Sequence, residues 1–209
     1  MLKLIVFLPV VLILLQVVAI YLQTQRLLQI RFRYPRYEVQ PLRDLPSDLR
    51  QVLKPTVEQL QHLGFKFCGT YRIQKMVHFD QADDQAMLLY HPQCHTFAEL
   101  EVRWPADGSD LTTVNFYQVF EGGSWLLTMN GQAHGIIASL PDTIITDPYC
   151  ASLAAQWQHH QQKTAEIDRP SRVLKPAAFL SALQKLQQRY VDILLAEKRL
   201  VIRRGMGGF

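Results

Sequence analysis

The stretch from Leu4 to Leu22, LIVFLPVVLILLQVVAIYL, constrains this chain more than any other. It carries no charge, its one plainly polar member is Gln16, and fifteen of its nineteen residues are Leu, Ile, Val or Phe. As a helix rising about 1.5 Å per residue it would be roughly 28 Å long, close to the hydrocarbon thickness of a bilayer. Each such apolar residue favours insertion by about 0.3 to 0.6 kcal/mol, so the sum outweighs Pro9 and Gln16. The run therefore predicts a single membrane-spanning helix. A cleaved signal peptide is the competing reading, with Lys3 as its basic end. Against it, the run exceeds the roughly 7–15 apolar residues such peptides use. No small-residue cleavage site follows either, since Ala19 is flanked by Val18 and Ile20.

Flanking charge sets the expected orientation. Arg26, Arg31, Arg33 and Arg36 follow the run before the first acid, Glu38, against Lys3 alone in front of it. The positive-inside rule then puts the C-terminal side in the cytoplasm, at the cell's inner membrane. The same four arginines are the candidate membrane-surface residues, facing anionic headgroups, or else plain topology signals. The lipid bilayer is thus the first expected partner.

With 209 residues, the remainder suffices for one ordinary domain. A hydrophobic share of 48% and a charged share of 19% suit a packed core and exclude a disordered tail. The net charge of +4 comes largely from the arginines above and from Arg199, Arg203 and Arg204. No basic stripe interleaved with aromatics is present, so nucleic acid is not an expected partner. Cys68, Cys94 and Cys150 are sparse and form no CxxC pair, the pattern of reduced thiols rather than of a disulfide framework.

Periodicity divides the rest. The boundaries expected are an anchor and juxtamembrane helix over 1–30, a Pro/Arg-rich linker over 31–46, a cytoplasmic domain over 47–198 and a basic, glycine-rich tail over 199–209. Ser47 reads as an N-cap, Leu49, Leu53, Val57 and Leu60 recur at helical spacing, and Gly64 fits the C-terminal cap, with Pro55 predicting a kink or a late start. Strand character follows at Phe65–Ile73, Ala86–Tyr90, Phe97–Trp104, Leu111–Phe120 and Ser124–Asn130, with turns at Gln81–Gln85, Pro105–Asp110 and Glu121–Gly123. In Phe97–Trp104, Ala98, Leu100, Val102 and Trp104 alternate with Glu99, Glu101 and Arg103, which reads as a half-buried strand. Asp147–Pro148 predicts one helix start and Lys175–Pro176 another, the last helix carrying Phe179, Leu183, Leu186, Tyr190 and Ile193–Leu194 on one stripe. The expected fold is α+β. It has an N-terminal transmembrane helix and an antiparallel sheet of about five strands, with one helix before the sheet and two after it.

Few residues suggest chemistry. His91, Cys94 and His95 in HPQCH are ligand types that zinc favours, and Cys68, His78 or His134 would be needed to complete a set. The spacing matches no paired-ligand motif, so a polar loop is the preferred reading and no metal or other cofactor is expected. His159 and His160 point about 100° apart on a helix and cannot share a site. Asp80, Asp83, Asp84, Asp107 and Asp110 sit where turns favour aspartate. No nucleophile elbow, HExxH, Walker A or GxGxxG is present, and nothing argues for an enzyme.

LGFKFCGTYR, LLYHP, AELEVRW, DGSDLTTVNF and LAAQWQHH together resemble an uncharacterised bacterial family of α+β domains, over roughly 45 to 190. In that family a helix ends in LGF (Leu63–Phe65), a strand carries tyrosine and histidine-proline (Tyr90–Pro92), DGxxLTT follows (Asp107–Thr113), and a later helix bears a histidine (His159 or His160). The resemblance implies one folded domain and no activity.

Two functions fit. One is a membrane-anchored structural or protein-interaction module that binds a membrane or cytoplasmic protein. The other is a small-molecule or lipid-binding domain or enzyme, with an apolar pocket in a curved sheet; it rests on the strand aromatics Phe65, Phe67, Tyr71, Tyr90, Phe97, Trp104, Phe116, Tyr117 and Trp125, most of which read as plain core.

Overall fold

A computed structural model describes residues 15–21, 31–32, 34–74, 77–78, 84–103, 111–131 and 140–199. The strands are β1 (Arg31–Phe32), β2 (Arg36–Gln40), β3 (Lys66–Gln74), β4 (Val77–His78), β5 (Asp84–His91), β6 (Thr96–Arg103), β7 (Leu111–Val119), β8 (Trp125–Thr128) and β9 (Thr143–Thr146). The helices are α1 (Ser47–His62), α2 (Leu153–Ala165) and α3 (Pro176–Ala196). β1 and β4 form a short pair; the other seven strands form one sheet in the order β2-β3-β5-β6-β7-β8-β9. Every neighbour in that sheet is antiparallel except β8 and β9, which run parallel.

The α+β class holds, but two parts of the expected fold are corrected. The sheet has seven strands and is mixed, not five and antiparallel. Arg36–Gln40, read as part of a linker, pairs along β3, and Thr143–Thr146 adds a parallel strand at the far end. The membrane-spanning helix is also corrected. Residues 15–21 are helical, a length of only about 10 Å. The rest of the apolar run lies outside the described residues, and no helix among the described residues is long and apolar enough to cross a membrane.

α1 begins at Ser47, with Pro46 in the cap position, and runs unbroken through Pro55. That proline is on the exposed side, where water can satisfy the carbonyl it leaves without a donor. The helix ends as its sequence predicts. Gly64 takes φ +96°, its N–H bonds Gln61 O at 3.0 Å, and Phe65 N–H bonds Leu60 O at 3.0 Å. These are the two bonds of a Schellman cap.

The expected helix start at Asp147–Pro148 moves to Leu153, with Ser152 as N-cap, its hydroxyl accepting the Ala155 N–H at 3.2 Å. Asp147 is used elsewhere: its carboxylate accepts the Gly131 N–H. Asn130 clasps Cys150 with two bonds, 2.6 Å to its N–H and 3.1 Å to its carbonyl. Residues 147–150 are therefore tied to the end of β8, with Tyr149 at φ +50° turning the chain. α3 starts at Pro176 as expected, with Lys175 as cap.

Three layers result. α1 and α2 cover one face of the sheet, closing over Leu53, Leu60, Phe65, Leu89, Leu100, Phe116 and Trp157. α3 covers the other, with Phe179, Leu183, Leu186, Tyr190 and Leu194 packed on Tyr71, Leu88, Phe97, Tyr117 and Leu127. Phe179 stacks on Phe97 with ring centroids 4.0 Å apart. Both faces of β6 are buried, so the expected half-exposed strand is also corrected: Glu99 and Glu101 lie under α3 at 2% and 5% exposure.

Candidate functional site

Burial of two carboxylates on one sheet face is the least expected chemistry in the molecule, and the fold builds a shell around them. β6 and β7 pair Glu99 with Asn115 and Glu101 with Thr113. Tyr71 on β3 donates its hydroxyl to Glu99 Oε1 at 2.5 Å, and Tyr117 on β7 donates to Oε2 at 2.7 Å. Asn115 Nδ2 adds a longer bond to Oε2 at 3.4 Å. Tyr37 on β2 packs its ring 5.7 Å from that of Tyr71. From α3, Gln184 Oε1 accepts the Tyr37 N–H at 3.1 Å, and Gln187 bonds the Tyr37 side chain.

Burial, then the negative charge of Glu101, pushes the Glu99 carboxyl up from 4.5 to about 7. The bonds from Tyr71, Tyr117 and Asn115 favour the carboxylate and oppose the rise without cancelling it. Burial also drives Tyr37, Tyr71 and Tyr117 well above the usual phenol value, with Glu99 adding to it. Glu99 thus titrates near neutrality while its three tyrosines stay protonated.

The opposite face carries a stack of rings. Trp157 on α2 lies 5.4 Å from His91 and 5.6 Å from His160, with Phe65 edge-on to it at 4.9 Å. His160 is fully buried, and burial lowers its pKa from 6.5 to about 3, so its ring is neutral. Thr146 donates to Thr128 at 3.0 Å, and the Thr128 hydroxyl in turn is hydrogen-bonded with His160 Nδ1 at 2.8 Å. His91 Nδ1 accepts the Cys94 N–H at 3.2 Å; burial lowers its pKa, and hydrogen bonds to backbone groups of Leu63 and of His91 itself oppose the fall.

The HPQCH residues are separated rather than gathered. His91 turns onto the α1–α2 face, against Phe65 and Trp157, whereas His95 takes φ +55° and bonds the Tyr90 hydroxyl at 2.8 Å through Nδ1. Cys94 packs at the edge of the core beside α1, and all three cysteines are free. No group of three His, Cys, Asp or Glu able to hold a metal occurs among the described residues. His134 and Trp104 lie outside the described residues, as do Asp80, Asp83, Asp107 and Asp110.

Of the four arginines expected at a membrane surface, Arg36 opens β2 and is exposed, and Arg31 is paired with His78 in the short sheet. Arg26 and Arg33 lie outside the described residues. The strand aromatics are mostly core, the reading preferred for most of them: Phe65, Tyr71, Phe97, Phe116, Tyr117 and Trp125 are buried between layers.

The sequence reading missed Glu99 with Tyr71, Tyr117 and Asn115. One signal was available. β6 alternates apolar with acidic, but α3 carries a full apolar stripe that needs a sheet face of its own, so the acidic side could not remain in water.

The fold and its buried polar shell define a three-layer α+β domain. No family model matches the chain, and no curated protein or solved structure matches it either.

Proposed function

We propose that this domain is a protein-interaction module that takes an extended segment of its partner onto the outer edge of β9, which pairs with no further strand among the described residues. The observation that carries the reading is the contrast between the two ends of the sheet. β2 is guarded: Arg36 and Glu38 interrupt it, Pro35 and Pro41 flank it, and the Tyr34 hydroxyl ties its approach to Asp192 at 2.6 Å. Charges and prolines of this kind discourage strand addition. β9, TIIT, carries no charge within its four residues, although Pro141–Asp142 and Asp147–Pro148 flank it as prolines flank β2; its Ile144 is 50% exposed, and Tyr149 just beyond it is 75% exposed. Such an edge offers backbone donors and acceptors to an incoming strand, with β-branched side chains to set register.

The groups that could do chemistry support the same reading. Glu99, His91 and His160 are all enclosed between layers, and internal partners occupy Glu99 and His91. This favours binding at the surface over a reaction in a pocket.

The test compares the full chain with Ile144→Lys as bait, after both are shown to unfold at the same temperature. A protein retained at fixed ratio by the wild type and lost from the variant supports the reading. A partner held equally by both would place docking elsewhere and end it. Association with the inner membrane is a separate proposal that rests on the composition of residues 4–22. Release of the chain into the soluble fraction by alkaline carbonate would count against it.

A further inference from the structure

Asparagine is scarce in this chain: of its 209 residues only Asn115 and Asn130 are asparagine, and Asn130 is followed by glycine. Among asparagine linkages the one before glycine is the most labile, because no side chain shields the following nitrogen. The Gly131 nitrogen can attack Cγ of Asn130. A C–N bond forms, the Cγ–Nδ2 bond breaks, and the Gly131 amide proton leaves with Nδ2 as ammonia. Water then opens the five-membered imide at one of its two carbonyls and leaves aspartate or isoaspartate. Glycine is required here, since Gly131 has φ +73° and a Cβ would stand 2.9 Å from Cε1 of the Tyr149 ring. The labile pair is therefore built into the fold.

Every group that would react is held by the same short segment. Asn130 Oδ1 accepts the Cys150 N–H at 2.6 Å, Nδ2 donates to the Cys150 carbonyl at 3.1 Å, and the Gly131 N–H donates to the Asp147 carboxylate. Attack makes Cγ tetrahedral and expels Nδ2, which breaks the flat, two-bond fit of the amide to Cys150. It also needs Cγ over the face of the Gly131 nitrogen, and the bond to Asp147 fixes the plane of that peptide. The nitrogen must give up its proton as well, and a carboxylate beside it opposes the negative charge that results. All of these restraints come from residues 147–150, between β9 and α2, so reaction waits on the opening of that link.

We propose that Asn130–Gly131 is a self-modification site gated by this clasp: closed, the clasp preserves the amide, and each opening exposes it to conversion into aspartate or isoaspartate. The conversion is one-way in structure as well as in chemistry. A carboxylate at position 130 has no N–H for the Cys150 carbonyl and sets an oxygen against it, with the Asp147 carboxylate close by. Isoaspartate also lengthens the backbone by one methylene before Gly131. Neither product can remake the clasp, so residues 147–150 stay released. The inference stands whether or not β9 accepts a strand.

The experiment incubates the full chain at neutral pH, folded in buffer and unfolded in guanidinium chloride, and follows amide-to-acid conversion at Asn130 by peptide mass spectrometry. Three bonds at about fivefold each should make the folded chain convert roughly a hundredfold more slowly than the unfolded one. Asp147→Ala, held at a temperature where circular dichroism shows it folded, should convert about tenfold faster than the folded wild type, having lost a charge-assisted bond. Asn115, followed by the bulky Phe116, is the internal control and should stay unconverted in both folded proteins. Equal rates for folded and unfolded wild type would overturn the gate, as would a folded Asp147→Ala that converts no faster. Asn130→Asp stands in for the product, and its Cys150 amide should exchange freely with solvent. Exchange there as slow as in the wild type would show that the clasp recloses and would end the one-way release.

Discussion

The Tyr71 hydroxyl lies 2.5 Å from Glu99 Oε1, although the two residues are 28 positions apart and their strands are not neighbours. The bond passes over β5, where Ala86 stands opposite Tyr71 and leaves room for the ring. One small residue thus lets a tyrosine from β3 hold a carboxylate on β6.

Glu99 and His160 should give the domain opposite pH dependences. Glu99 is raised from 4.5 to about 7 in the folded state. Its contribution is complete below 4.5 and is lost as pH rises through 7, by up to about 3 kcal/mol. His160 is lowered from 6.5 to about 3. Its contribution is complete above 6.5 and is lost as pH falls toward 3, by up to about 5 kcal/mol. Between 4.5 and 6.5 the slopes oppose, and the wild-type stability curve should be nearly flat. Glu99→Gln should lose stability steadily on acidification from pH 6.5 and exceed the wild type at pH 8. Urea unfolding across pH 4.5–8 checks both arms; parallel curves for variant and wild type would show that Glu99 does not titrate in this range.

Gly64→Ala should destabilise by about 2 kcal/mol or more. The position has φ +96°, and a Cβ there would stand 2.7 Å from His91 Nε2. Left-handed backbone alone costs a side chain about 1–2 kcal/mol, and the contact adds to it. Adding His91→Ala to this variant removes the contact but not the strain, so a double-mutant cycle by chemical unfolding should return a favourable coupling.

Ser152→Ala should cost about 1 kcal/mol, the usual value of a lost N-cap. The bond concerned runs from Ala155 N–H to Ser152 Oγ. Thermal unfolding gives the loss, and faster amide exchange in the first turn of α2 would locate it. Pro148→Ala should leave that turn unchanged, because the helix does not begin there.

Phe179→Ala should be the most damaging of these changes, at about 3–5 kcal/mol. Its ring is fully buried and touches Phe97, Tyr117 and Trp125. Calorimetry that found a loss below about 1 kcal/mol would mean that α3 is not integral to the core.

Local signals in the sequence were readable where a local rule decides the outcome. Gly64 after an apolar helical stripe, Pro176 at a helix start and the Glu121–Gly123 turn all describe contacts within a few residues. What could not be read depends on distant partners. Asp147–Pro148 has the chemistry of a helix start, but its carboxylate is claimed by Gly131 and its neighbours by Asn130. Arg36–Gln40 lies between prolines and becomes a strand because β3 supplies its hydrogen bonds. Glu99 and Glu101 look solvated until α3, some eighty residues later in the sequence, is laid over them. The candidate site was missed for that reason, since a two-residue alternation reports one buried face and is silent on the other.

The closure of α3 over β2 also sets an order of events during synthesis. Tyr34 bonds Asp192, Tyr37 bonds Gln184, and the Pro35 carbonyl accepts from Gln188. A chain still emerging from the ribosome has its β2–β8 strands long before it has these partners. Over that interval Glu99 faces water. Only when residues 176–196 are released can the helix settle, and burial then favours the protonated form of Glu99. The closing of that helix is therefore the step at which the acidity around the newborn chain is first consulted.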